Sequence, residues 1–115
     1  MITGVHALIY SGECEAIRRF FADTLGLPSV DAGGGWPIFT LPPAELAVHP
    51  AGDGSPRHEL WLMSDDVEAT VAELSMKGVN ADPITDRAWG LATTLTLAGG
   101  EKIGLYQPKH PTKIA

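Results

Sequence analysis

Three of the four histidines in this 115-residue chain stand in or beside apolar runs, and that placing is its most chemically suggestive feature. His6 lies within Val5-His6-Ala7-Leu8-Ile9-Tyr10, His49 closes Leu46-Ala47-Val48-His49-Pro50, and His58 with Glu59 opens Leu60-Trp61-Leu62-Met63. Imidazole and carboxylate side chains ligate divalent metals and transfer protons near neutral pH. Each residue also has a plainer reading, as a hydrogen-bonded histidine in a half-buried strand or a solvated strand-end carboxylate. The aromatic residues form a second group. Trp36, Trp61, Trp89 and Tyr106 taken singly read as core. Gathered on one concave face with Tyr10 and Met63, they would suit a flat, apolar ligand.

The elements that must position these groups occur twice. His58 follows His6, and Gly78 follows Gly26, at the same separation of 52 positions. The first copy reads as a strand over 3–10, then a helix over 13–25 introduced by Ser11-Gly12, with Ile17, Phe20, Phe21 and Leu25 on one face and Gly26 and Pro28 ending it. Three short strands follow at 29–32, 36–41 and 44–49, punctuated by Gly33-Gly34-Gly35 and Pro42-Pro43. The second copy repeats the order. A strand over 59–63 leads to a helix capped by Asp65 or Asp66, with Asp65-x-x-Glu68 resembling a capping box. That helix buries Val67, Val71 and Leu74 and stops at Gly78, before strands at 79–84, 89–97 and 102–107.

Each copy is therefore a βαβββ module, the first over about 3–50 and the second over about 57–108, with a tail at 109–115. The length suits one domain built from both modules. Strand alternation places His6, Leu8 and Tyr10 on one face of the first strand. In the second copy His58 and Glu59 are adjacent, so only one can share a face with Trp61 and Met63. The repeat offset selects His58. A register that turns Leu60 and Leu62 to the core selects Glu59.

An apolar content of 44% is that of a globular core. With 14 acidic against 8 basic residues the formal charge is −6, and no basic stripe is present, which argues against nucleic-acid binding. No apolar run approaches the roughly 18 residues of a membrane span, so a soluble cytoplasmic protein is expected. The lone Cys14 reads as a small buried or half-buried side chain, Gly33-Gly34-Gly35 as a turn, and His110 as an exposed tail residue.

The tandem βαβββ pattern resembles the vicinal oxygen chelate superfamily, the group of glyoxalase I, bleomycin-resistance proteins, fosfomycin-resistance enzymes and extradiol dioxygenases. Particular matches are His6 followed by Phe20-Phe21 and Leu25-Gly26, then Asp65-Asp66-Val67, then Trp89-Gly90 leading to Ile103-Gly104-Leu105-Tyr106-Gln107-Pro108. The resemblance implies an α+β fold with a cupped, eight-stranded mixed sheet, one helix per module outside, and a concave pocket inside. It also implies a divalent metal, such as Fe, Mn, Ni or Zn, held by the first and last strands of each module and acting as a Lewis acid.

On that pattern His6 occupies the first-module ligand position. Counting back from Asp65-Asp66-Val67 places Glu59 on the second, with His58 as the alternative. The last strands depart from the family, because Ala47 and Gly104 stand where carboxylates are common. His49, or alternatively Glu45, could complete a His6, Glu59 and His49 set of two imidazoles and one carboxylate.

Two functions follow as expectations. The first is a protein that binds and sequesters a small aromatic or apolar molecule in a pocket whose metal site is degenerate, with Tyr10, Trp36, Trp61, Met63, Trp89 and Tyr106 as contacts and no metal required. The alternative is a metal-dependent glyoxalase, lyase or extradiol-dioxygenase activity with His6 and Glu59 as catalytic groups. Short members of the superfamily often pair, so a homodimer is expected, without nucleic-acid or membrane partners.

Overall fold

A computed structural model describes residues 6–50 and 52–112. Its elements are α1 (Cys14–Arg19), which runs on as a π-helical turn over Phe20–Thr24, then β1 (Ser29–Asp31), β2 (Pro37–Phe39), β3 (Trp61–Met63), α2 (Val67–Met76), β4 (Asn80–Ala81), β5 (Thr85–Arg87), β6 (Gly90–Thr96) and β7 (Lys102–Pro108). The second copy builds the main sheet in the order β3-β7-β6-β4, with β5 also on β6. β3 runs parallel to β7, and the other pairs are antiparallel.

Local chemistry explains why α2 begins and ends where it does. The Asp66 carboxylate accepts from the Ala69 backbone N–H at 3.1 Å, and Ser64 Oγ accepts from the Asp66 N–H at 3.0 Å. Asp66 is thus the cap, and the reciprocal box expected from Asp65 and Glu68 does not form, because the cap falls one residue later. At the other end Gly78, at φ +82°, donates to the Ser75 carbonyl while Val79 donates to that of Leu74. These two bonds form a Schellman motif, which needs the left-handed conformation that glycine adopts without strain.

One core lies between the helices and one face of the sheet. Ile17 and Phe21 from the first helical segment, Val67 and Leu74 from α2, and Leu95, Leu97, Ile103 and Leu105 from the sheet are all buried there. In the π-helical turn the Leu25 N–H bonds to the Phe20 carbonyl, and the rings of Phe20 and Phe21 meet edge to face at 5.2 Å. The expected apolar face of the first helix is therefore used. Cys14 is instead exposed, at the first position of α1.

The α+β class with mixed sheets holds, but the single eight-stranded sheet is not what the structure shows. Among the described residues seven strands form a five-stranded sheet and a separate β1–β2 pair. The segments 6–10 and 44–49, expected as the outer strands of the first module, join no ladder, and residues 3–5 of the first lie outside the described ones. Pro42, Pro43 and Pro50 bracket the second segment and remove backbone donors from both its ends. Leu46 and Val48 there are 90% and 89% exposed.

Leu105 is 2% exposed at the centre of the core, with β3 and β6 on either side of its strand. A Leu105→Ala variant should lose about 2–5 kcal/mol, measured as a lower urea midpoint with an unchanged slope.

Candidate functional site

Pairing β3 with β7 in parallel sets Trp61 opposite Gly104 and Met63 opposite Tyr106. Across β7, Gly104 faces Thr94 and Tyr106 faces Ala92, and across β6, Ala92 faces Thr85 and Gly90 faces Arg87. Side chains directly opposite share a face, so Trp61, Tyr106, Thr94, Thr85 and Arg87 all belong to the side of the sheet away from α2. Leu60 and Leu62, on the alternate positions of β3, pack against the core.

Three aromatic rings dominate this face. Trp61 meets Trp89 at 5.5 Å and 88°, Trp61 meets Tyr106 at 5.7 Å and 89°, and Trp89 meets Tyr106 at 5.4 Å and 71°. All three pairs are edge to face, each contributing about 0.5–1.5 kcal/mol beyond its buried area. The indole of Trp61 lies directly over Gly104. A Cβ at 104 would collide with indole Cδ2 and Cε3 and come within 2.6 Å of Cε2. Gly90 is similarly confined, its absent Cβ lying 3.0 Å from Tyr106 Cδ2 and 2.6 Å from the Gln107 carbonyl oxygen.

Polar groups fix the aromatic set from its edges. Glu59 accepts from the indole N–H of Trp61 at 3.0 Å and from Arg57 Nε at 3.1 Å. Those two hydrogen bonds, the one from Trp61 foremost, hold the Glu59 carboxyl below the usual carboxylate range, and the charges of Arg57 and His49 add to the effect. Tyr106 shares a 2.9 Å hydrogen bond with His110 Nε2, and the two rings stack at 5.7 Å. Burial, followed by the nearby charge of Glu45, raises the Tyr106 hydroxyl above its ordinary pKa, so it stays neutral.

Beside the rings is a cavity of about 330 Å³ lined by Trp61 and Trp89 on one side and by Asp82, Thr85, Arg87 and Thr94 on the other. Asp82 accepts from Thr94 Oγ1 and from Lys102 Nζ at 3.4 Å. These contacts, that with Thr94 first, lower its pKa and keep it ionised.

The structure brings together some of the residues singled out from sequence and separates others. Trp61, Trp89 and Tyr106 cluster, and Met63 shares their face one strand position on. Tyr10 is 84% exposed, and Trp36 lies under the Arg18 guanidinium at 4.7 Å, apart from that cluster. Glu45 is half-buried within 4.0 Å of His110, whereas His6, His49 and His58 are exposed. Among the described residues no group of three or more His, Cys, Asp or Glu side chains is placed to hold a metal ion. His6, His49 and Glu59, with Glu45 and His58 as alternatives, are not gathered into such a group here.

Sequence reasoning passed over Asp82, Thr85 and Arg87, and it left His110 in an exposed tail. The alternation Thr85-Asp86-Arg87 was the available signal, since it puts Thr85 and Arg87 on one face. His110 gave none, because its place depends on the chain turning back over Tyr106 after β7.

No protein-family model and no curated protein matches the chain. Solved structures do. TnmS3, an antibiotic binding protein from Streptomyces sp. CB03234, superposes over 94% of this chain and 98% of its own, at 24% identity and a TM-score of 0.69. A glyoxalase/bleomycin resistance protein from the same organism covers 86% and 95%, at 21% identity and a TM-score of 0.55. Lactoylglutathione lyase from Agrobacterium tumefaciens covers 91% and 92%, at 14% identity and a TM-score of 0.60.

The fold is that of these solved glyoxalase-type structures. Within this fold, Trp61 over Gly104 makes the sheet face away from α2 aromatic. Among the described residues no helix is long and apolar enough to cross a membrane.

Two measurements check this geometry. Gly104→Ala should displace the Trp61 indole at a cost of about 1–3 kcal/mol, seen as a lower melting temperature together with an altered near-ultraviolet circular dichroism spectrum. The Glu59 carboxylate has a depressed folded-state pKa, so its contribution to stability is complete above the unfolded value of about 4.3 and is lost as pH falls through the lower folded value. Tryptophan emission should therefore hold constant down to about pH 5 and change only below the usual carboxylate range, a transition that Glu59→Gln removes.

Proposed function

We propose that this protein binds and sequesters a small, flat, aromatic or apolar molecule of the antibiotic type against the Trp61, Trp89 and Tyr106 face, without chelating a metal. The observation that carries the reading is the indole of Trp61 lying over Gly104. The position that a ligating carboxylate would occupy is covered by an indole, Trp89 extends that surface, and Tyr106, 8% exposed, packs against both rings. The likeness in fold to an antibiotic binding protein supports the same reading. The cavity of about 330 Å³ is within the range of small-molecule sites.

The enzymatic alternative gains less support. Glu59, the carboxylate available as a general base, is engaged by Trp61 and Arg57, and those bonds weaken its affinity for a proton.

The proposal extends to a homodimer. Leu8, Tyr10, Leu46 and Val48 are all more than two-thirds exposed or close to it, on segments of the first module that join no ladder. Apolar, strand-like segments of this kind are covered when a second copy supplies the missing neighbour. A Leu46→Lys, Val48→Lys variant should sediment as a monomer, whereas the unaltered chain sediments at twice the monomer mass.

For binding, quenching of tryptophan emission by a panel of polycyclic aromatic antibiotics is the direct measurement. Trp61→Ala and Trp89→Ala should each weaken binding by roughly tenfold or more, the effect expected of losing an aromatic anchor. Treatment with a chelator should leave affinity unchanged. Stoichiometric metal in the purified protein, with binding abolished by the chelator, would contradict the metal-free reading.

A further inference from the structure

Arg87 differs from the other cations around the aromatic face. Among the described residues Lys102 pairs with Asp82, Lys109 with Asp86 and Arg57 with Glu59, while no carboxylate pairs with Arg87. Its one hydrogen bond runs from Nε to Thr85 Oγ1 at 3.3 Å. That bond uses the inner edge of the guanidinium and leaves both Nη groups for another acceptor. The residue lies on the same sheet face as Tyr106 through the Arg87–Gly90 and Ala92–Tyr106 registers, and it lines the cavity together with Trp61 and Trp89.

We infer that Arg87 selects ligands bearing an anionic oxygen group, a carboxylate or sulfonate, joined to the aromatic body that the tryptophans receive. This inference rests on the aromatic-face reading and narrows its ligand class. A guanidinium offers two parallel N–H donors to such a group, a planar fork that a point charge does not match. The carboxylate among the cavity's lining residues, Asp82, already accepts from Thr94 and Lys102, so Arg87 is left to a ligand. The protein as a whole carries a formal charge of −6, and its long-range field disfavours anions. Any preference for an anionic ligand must then be local.

Two fluorescent probes that differ only by a sulfonate group test this: 1-anilinonaphthalene-8-sulfonate and its neutral parent N-phenyl-1-naphthylamine. Arg87→Gln should weaken the sulfonate probe by about tenfold and leave the neutral probe within twofold, while Trp89→Ala weakens both. Equal effects of Arg87→Gln on the two probes, or no effect on either, would overturn the role of Arg87 and leave the aromatic face standing. If neither probe binds the unaltered protein, the aromatic-face reading fails and this inference fails with it. Arg87 is on the surface and outside the core, so the variant's melting temperature should match the unaltered protein's.

Discussion

The parallel pairing of β3 with β7 is the constraint on which the rest of the molecule depends. It joins Trp61–Met63 to the last strand of the chain and centres β7 between β3 and β6. Leu60, Leu62, Ile103 and Leu105 are thereby turned to the helices, and Trp61 is set across from Gly104. A slip of one residue in that pairing would exchange the two faces, putting leucines in the cavity and an indole in the core. The hydrophobic effect that fixes the core thus also fixes the register of the site. Stability and site geometry are two readings of one ladder.

Much of the segment 57–108 was legible from sequence, although the strand expected over 79–84 is confined to Asn80–Ala81 and β5 was not foreseen. Its helix face, its Gly78 stop and its long strands β6 and β7 follow from apolar spacing and turn residues, because each element there finds its partner within the same module. The first module was legible only in part. Ile17, Phe21 and the turn at Gly33 behave as their spacing implies, yet 44–49 has the composition of a strand and no neighbour to pair with. Periodicity describes what a segment could bury. Whether it does so depends on a partner that the periodicity does not name.

The site divides in the same way. The aromatic members were visible as residue types, and their grouping followed from strand alternation on β3 and β7. Met63 and Trp61 were placed together by the same alternation. The polar wall was missed because β5 is three residues long and exposed, with no apolar signal to mark it. The imidazole and carboxylate residues are dispersed for a related reason. Matching residues to positions in a pattern assumes that the strands bearing them close around one point, and in this chain 6–10 and 44–49 do not close with β3 and β7.

Trp61 and Gly104 also restrict how this face could change its chemistry. With the indole in place no residue larger than glycine fits at 104, and with any side chain at 104 the indole cannot lie where it does. The two positions exclude one another, so neither state leads to the other through a single well-packed substitution. A chain moving between a chelating and an aromatic surface must pass through a gap or a clash. In either direction the clash is avoided only when the larger group leaves before the other arrives, so the two positions can exchange their bulk only by way of a gap.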